Sequence, residues 1–562
     1  MSGGTQPAPA EAREAGWRAL GETAFDLLVI GGGITGSGVA RDAARRGLSV
    51  ALVERGDLAS GTSSRSSRLV HGGLRYLEQF AFGLVFEAVS ERRVLQEIAP
   101  HLVRPLGFLF PIYRDSRRGR LTVELGMWLY EALSLFRSPR RHRSYNASQL
   151  EEIEPALRRD ELTGATLYWD CATDDARLTL ETALDAAEVG ARILTYVEAL
   201  GLEREGGRVV GARVRDRLTG RERTVRAGVV VNATGPWTDR VRESDTPLLR
   251  PTKGVHIVVE HERLPLHYAD VLQHPEDGRV MFAIPWGERS YVGTTDTFYD
   301  GDPDEVAACA EDVRYLLAAL RHHYRCEPLG EADVISTWAG LRPLIREEGA
   351  DPSSVSREHR VVVDPDGLVT IAGGKLTTYR RMAAETVDAA VGMLRLLGGM
   401  RRLEPARTDE IPLPGARGWP EGDDTAQLEA RVRAASGEQI DERDAARLVR
   451  TYGVRAEQVA ERVRRDPALA RPLSPCGPER WAEFAWAVEA ERAQRVMDVL
   501  RRRLTVALTH REQGLDCCEE AARRMGEWLG WDRARVREEI ELYEAEIARS
   551  RAWRGGGPCE GA

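Results

Sequence analysis

Long apolar runs are missing from this 562-residue chain. No segment offers about eighteen uninterrupted apolar residues, so nothing in it reads as membrane-spanning. The first twenty or so residues, rich in Gly, Pro, Ala and Glu, lack the apolar stretch of a signal peptide and read as a disordered leader, 1–22. The seven cysteines (Cys171, Cys309, Cys326, Cys476, Cys517, Cys518 and Cys559) form no C-x-x-C pair and have no histidine partner at zinc spacing. No metal site is therefore expected, and a reduced cytoplasmic setting is the simplest account. A net charge of −9 argues against a nucleic-acid binder. Lysine is nearly absent: of 79 basic residues only Lys253 and Lys375 are not arginine, so each reads as a place where a compact ammonium suits and a broad guanidinium does not.

Residues 25–54, FDLLVIGGGITGSGVARDAARRGLSVALVE, read as strand, glycine turn, helix and second strand, closed by an acid. Gly31, Gly33 and Gly36 fall on G-x-G-x-x-G: the first permits the tight turn, the second lets backbone N–H groups approach a pyrophosphate, and the third lets helix and strand pack closely. The anion then sits at the positive end of the helix dipole. Glu54 is placed to accept a hydrogen bond from an adenosine ribose 2′-hydroxyl, which disfavours a 2′-phosphorylated cofactor. This unit alone does not separate FAD from NAD. The next stretch, residues 59–78 (ASGTSSRSSRLVHGGLRYLE), is dense in hydroxyls, glycines and arginines and suits a ligand-lining loop, with Ser63 and Ser64 toward the cofactor.

GGGITG, TSSRSSRLVHGGLRYL, VVNATGPWTD (230–239), GTTD (293–296), AGLRPL (339–344) and AGGKLTTYR (372–380) together resemble an FAD-dependent glycerol-3-phosphate dehydrogenase of the aerobic, quinone-linked kind. The blocks run in the family's order from about residue 25 to 395, and the helical tail also resembles the family's last domain. Arg68 stands where that family has lysine, and keeps the charge. The resemblance implies an α/β fold: a Rossmann-like FAD-binding domain, an antiparallel-sheet substrate domain and a C-terminal all-helical domain. Expected boundaries are 23–165, 225–250 and 365–403 for a discontinuous FAD domain, 166–224 and 251–364 for the substrate cap, 404–425 for a Pro- and Gly-rich linker, and 426–562 for the helical domain. Beyond Ser63 and Ser64, cofactor contacts fall on Ala233, Thr234, Gly235, Gly374, Lys375, Leu376 and Thr377. A helix beginning near Thr377 would point its positive end at the flavin.

Oxidation of glycerol 3-phosphate needs a held phosphate dianion, a proton acceptor at the C2 hydroxyl and a hydride acceptor. By resemblance, Arg75, Tyr76, Thr295, Arg342, Arg357 and Lys375 bind substrate, forked arginines being apt for phosphate. His71 is the candidate base, His256 its rival, and Arg342 eases the developing alkoxide. Asp174 and Asp175 read instead as a helix N-cap. The electron acceptor is either membrane quinone or, in a soluble oxidase, dioxygen; a non-catalytic flavin-binding protein is the remaining reading. Residues 117–143 bear on this. Leu121, Leu125, Trp128, Leu129, Leu133 and Phe136 share a helical face flanked by Arg117, Arg118, Arg120, Arg137, Arg140, Arg141 and Arg143, which suits either an anionic lipid surface at the inner face of the cell membrane or the protein's own core. A homodimer is compatible with the resemblance.

Overall fold

Residues 27–30 are apolar without alternation, and the strand Ala24–Ile30 is buried on both faces, as a parallel strand inside an α/β layer must be. The computed structural model describes residues 9–114, 116, 119–244, 246–347, 357–398 and 402–556, apart from the side chains of Arg75, Glu78 and Gln79. Among the described residues there are two large sheets, of eight and ten strands. The first runs His359–Val363, Val369–Gly373, Glu222–Asn232, Ala24–Ile30, Val50–Glu54, Arg192–Thr195; all neighbours are parallel except the first pair. A hairpin, Val197–Glu205 and Arg208–Asp216, turns at Gly206-Gly207, both with positive φ, and pairs onto Glu222–Asn232.

The second sheet runs Thr297–Phe298, Thr252–Glu260, Arg289–Gly293, Val280–Trp286, Ala269–Gln273, Arg104–Tyr113, Leu162–Ala172, Leu69–Val70. Ser336–Arg342 pairs along Thr252–Glu260, and Arg143–Asn146 along Leu162–Ala172. Sheet membership departs from the expected domain boundaries. The hairpin and His359–Val363 join the nucleotide sheet, whereas Arg104–Tyr113 and part of 143–165 join the second sheet. Arg104–Tyr113 is placed by pairing with Leu162–Ala172 and with Ala269–Gln273, distant partners that no local pattern reports.

Helices cover both sheets, the first two along the chain packing on the nucleotide sheet and the next two against the second sheet. Helix α1 (Pro9–Glu22) overturns the disordered leader for residues 9–22: Trp17 and Leu20 are fully buried, Arg223 lies over the Trp17 ring, and Arg13 pairs with Asp216. Residues 1–8 lie outside those described. Helix α2 (Ile34–Arg45) follows the glycine turn, α3 (Phe82–Ile98) follows the His71 segment, and α4 (Arg120–Leu133) carries the apolar stripe. Asp174 caps the helix Asp175–Glu188, accepting from the Arg177 N–H, as its position suggested. The C-terminal helices share one core, including Trp481, Phe484 and Tyr543. They are tied to the nucleotide unit by buried ion pairs, Arg502 and Arg503 to Asp57 at 2.6 Å each. The stretch 404–425 is less free than a linker: Leu413 is buried, and Arg41 donates to the Thr408 and Ile411 carbonyls. Cys171, Cys326, Cys476, Cys517 and Cys518 are free thiols. Cys309 is disulfide-bonded, so a wholly reduced chain does not hold at that position.

Candidate active site

At the C-terminal ends of the parallel strands, bordered by the hairpin strand Val197–Glu205 and by Pro343, lies a cavity of about 340 Å³. Gly31, Gly33, Glu54, Ser63, Ala233, Thr234 and Gly235 line it, and so do Gly374, Lys375 and Leu376. This is the crevice at the strand ends where open α/β sheets take ligands. The glycines divide the work. A Cβ on Gly36 would stand 1.9 Å from the Gly31 carbonyl oxygen, so Gly36 sets helix–strand packing and does not face the cavity. A Cβ on Gly33 would meet only Ser63 Oγ, at 3.2 Å, so the backbone there is open toward the cavity. Gly33 is also the N-cap of α2 and has no side chain to cap it; Ser63 Oγ takes the Ile34 N–H, and the N–H groups after it in the first turn are left for an anion.

Glu54 Oε2 accepts from the Gly32 N–H at 2.6 Å and Oε1 from the Gly56 N–H at 2.8 Å, so the acid also ties down the phosphate-binding turn. Burial pushes its pKa up; the two N–H bonds pull the other way. Ser63 Oγ accepts from the Ile34 N–H at 2.9 Å, whereas Ser64 is buried and does not line the cavity. Thr377 stands back from the cavity as well. Its Oγ1 accepts from the His71 N–H at 3.1 Å, joining the two loops that flank the site. A short 3-10 turn, Leu376–Thr378, leads into the helix Tyr379–Leu396, with Lys375 as its N-cap.

At the Pro343–Lys375 end of the cavity stand the substrate candidates. Arg342 binds Asp296 at 3.0 Å and Thr294 Oγ1 at 2.9 Å; Arg357 reaches the other oxygen of Asp296 at 3.3 Å. Lys375 Nζ sits 3.9 Å above the Tyr76 ring. Arg75 has its side chain outside the described residues. Thr295 is not the hydroxyl beside Arg342: its Oγ1 accepts the Val255 N–H at 3.0 Å, and Thr294 takes the place expected of it. Asp296 was missed, although it ends the GTTD block. Lys253 proves structural, paired with Asp312 at 2.9 Å on the opposite face of its strand.

His256 shares a face of the second sheet with Arg342, Trp338 and Phe282 through the paired registers. Its ring stacks on Trp338 at 4.7 Å, and Nε2 lies 2.9 Å from Ser67 Oγ. Burial, then the charges of Arg342 and Arg68, lower its pKa to about 3, so it is neutral at working pH and a weak proton acceptor. His71 is half-buried, edge-on to Phe282 at 6.3 Å. Arg68 is buried over the Trp286 ring and within 3.4 Å of Asp174. Among the described residues, no group of His, Cys, Asp and Glu could hold a metal.

Residues 26–380 match the family model for FAD dependent oxidoreductases, and residues 406–536 match that for the C-terminal domain of alpha-glycerophosphate oxidase. The chain belongs to the FAD-dependent oxidoreductases. Glycerol-3-phosphate dehydrogenase 2 of Mycobacterium tuberculosis is 41% identical over 540 residues, covering 95% of this chain and 90% of that protein. Aerobic glycerol-3-phosphate dehydrogenase of Staphylococcus epidermidis is 37% identical over 541 residues, covering 95% and 96%. The X-ray structure of glycerol-3-phosphate dehydrogenase from Bacillus halodurans, complexed with FAD, matches with a TM-score of 0.80 at 33% identity, covering 97% of this chain and 98% of that one. Within the class, then, this chain is a member of the FAD-dependent glycerol-3-phosphate dehydrogenase family. Its cofactor is FAD, and the residues fit it: the open backbone at Gly33, the N-terminal turn of α2 and Glu54 meet the dinucleotide, and residues 373–376 border the far end of the cavity.

Proposed function

We propose that the protein oxidises sn-glycerol 3-phosphate to dihydroxyacetone phosphate and passes the electrons to a membrane quinone, working at the inner face of the cell membrane. Bound FAD supplies the acceptor for the hydride that leaves C2. Arg342 and Arg357 grip the phosphate with forked donors, and Lys375 beside Tyr76 adds a compact charge. The observation that carries this reading is the pair of arginines: Arg342 and Arg357 converge on the two oxygens of Asp296 next to Pro343, which lines the cavity together with Lys375, and forked donors of this kind suit a dianion. His71 takes the C2 hydroxyl proton, because the depressed basicity of His256 makes it the poorer acceptor. His256 stays neutral and offers a hydrogen bond.

The acceptor and the location rest on a separate observation. Leu121, Leu125, Trp128 and Leu129 on α4 are exposed, as are Leu135 and Phe136 after it; Leu133 is half-buried. Phe80, Phe82 and Phe86, on and before the neighbouring α3, are exposed too and extend the patch. Arg120, Arg137, Arg140, Arg141 and Arg143 are exposed around it; Arg117 and Arg118 lie outside the described residues. An apolar patch ringed by arginines suits an anionic lipid surface, and no described helix is long and apolar enough to cross a membrane. The test is to mix purified protein with glycerol 3-phosphate in air, with and without a short-chain quinone. Quinone reduction that far outruns peroxide formation is expected; peroxide equal to substrate consumed would assign the soluble-oxidase reading instead.

A further inference from the structure

The chain leaves the second sheet at a defined point. Leu69 and Val70 pair with Ala172 and Cys171, and at His71 the strand ends and the backbone meets the Thr377 loop. The next N–H, that of Gly72, is buried and needs an acceptor. It finds two: Tyr130 Oη at 3.0 Å and Asp170 Oδ1 at 3.3 Å. Tyr130 in turn donates to Asp170, at 2.8 and 2.9 Å to the two carboxylate oxygens, and Arg92 closes the group by binding Asp170 and donating to the Trp169 carbonyl at 3.3 Å. Tyr130, Asp170 and Arg92 are each at most 2% exposed. In so dry a place an ion pair and its hydroxyl hold their geometry firmly.

The fit at Gly72 is tight. A Cβ there would stand 2.2 Å from Tyr130 Oη and 2.4 Å from Val89, so the tyrosine lies directly against the peptide. On the other side, Thr377 accepts the His71 N–H and donates back to the His71 carbonyl at 3.3 Å. Gly73 then takes a left-handed conformation, φ +74°, and starts the turn Leu74–Gln79 that carries Tyr76. The segment bearing both His71 and Tyr76 is thus held between the flavin-side loop and the buried Tyr130–Asp170–Arg92 group.

We propose that Tyr130 is a positioning residue for the reaction: with Asp170 and Arg92 it sets the 71–73 peptide, and through it the placement of His71 and Tyr76 over the cofactor cavity. The inference rests on the proposed function insofar as His71 is the base. Helix α4 then does two separable jobs, because Leu121, Leu125 and Trp128 point outward while Tyr130 points in.

Tyr130→Phe keeps the ring and removes only the hydroxyl. In dye-coupled assays of the FAD-loaded enzyme, kcat should fall about 10- to 100-fold, as small misplacements of reacting groups do. The acid limb of the kcat/KM profile should also move, while FAD content stays full. Asp170→Asn should act in the same direction, and Trp128→Ser with Phe136→Ser should leave both readouts at wild type. A wild-type kcat and pH profile in Tyr130→Phe overturns the proposal, as does a loss that disappears when activity is expressed per bound flavin. If His71→Asn keeps wild-type kcat while Tyr130→Phe still lowers it, the base assignment fails and the positioning role stands.

Discussion

Arg342→Ala tests the phosphate grip. Arg342 spans Asp296 and Thr294 in one fork, 3.0 and 2.9 Å away, so alanine removes a two-pronged cation from beside Asp296 and leaves Arg357 on its other oxygen. Losing one charge-assisted bidentate partner costs roughly 2 to 4 kcal/mol in the transition state, which is about 30- to 1,000-fold in kcat/KM. Arg342→Lys keeps the charge but not the fork and should recover part of that loss. The assay is dye reduction with glycerol 3-phosphate and with glycerol in parallel, each normalised to bound flavin. Activity with glycerol 3-phosphate should fall far more than any residual activity with glycerol. Equal losses on the two substrates would refute the reasoning and assign Arg342 to the fold or the flavin.

Gly33→Val should give folded protein largely without yellow chromophore, since the new side chain projects into the cavity beside Ser63; full FAD occupancy would show that the glycine turn is not the pyrophosphate site. Glu54→Ala should weaken FAD retention, measured by dialysis, because it also frees the Gly32 and Gly56 N–H groups. Trp128→Ser with Phe136→Ser should move the protein off anionic vesicles in a flotation assay while dye reduction stays near wild type, and high salt should weaken wild-type binding as the arginines are screened over about 8 Å; parallel loss of dye activity would mark the stripe as part of the fold. The folded-state pKa of His256, about 3, lies below its usual value of 6.5, so unfolding takes up a proton between those limits: its contribution is full above pH 6.5 and is lost as pH falls toward 3. His256→Asn should therefore flatten the fall in melting temperature between pH 6.5 and 4, and an unchanged slope would mean that His256 is protonated in the fold.

The sequence was most legible where backbone geometry admits one residue type. Gly31 has φ +111°, and Gly36 has a carbonyl where a Cβ would go, so the glycine spacing announces the nucleotide unit without any partner being known. The Asp174 cap and the Gly206-Gly207 turn were readable for the same local reason. Long-range choices were not. Whether Arg104–Tyr113 pairs with the nucleotide strands or with Leu162–Ala172 depends on registers that no window of sequence contains. Helix α1 escaped because two buried residues, Trp17 and Leu20, decide it against a polar background. In the site, the sequence blocks named Arg342, Arg357, Lys375 and Thr295, whereas in the fold the Thr295 hydroxyl turns to the Val255 N–H and that of Thr294 to Arg342. Adjacent residues point to opposite sides, and only the structure gives the phase. The Tyr130–Asp170 group was invisible for a related reason: a tyrosine on an amphipathic helix and an aspartate within a strand meet only through the fold.

The central claim is that this cavity oxidises a 2-hydroxy phosphate held by Arg342, Arg357 and Lys375. Anaerobic bleaching of the flavin absorption band, followed with a panel of 2-hydroxy phosphates, 2-hydroxy acids and amino acids, tests it most directly. Rapid and complete bleaching by sn-glycerol 3-phosphate is expected, and none of comparable rate by glycerol, lactate, glycine or proline. Bleaching by an amino acid or an unphosphorylated hydroxy acid at an equal or greater rate would contradict it.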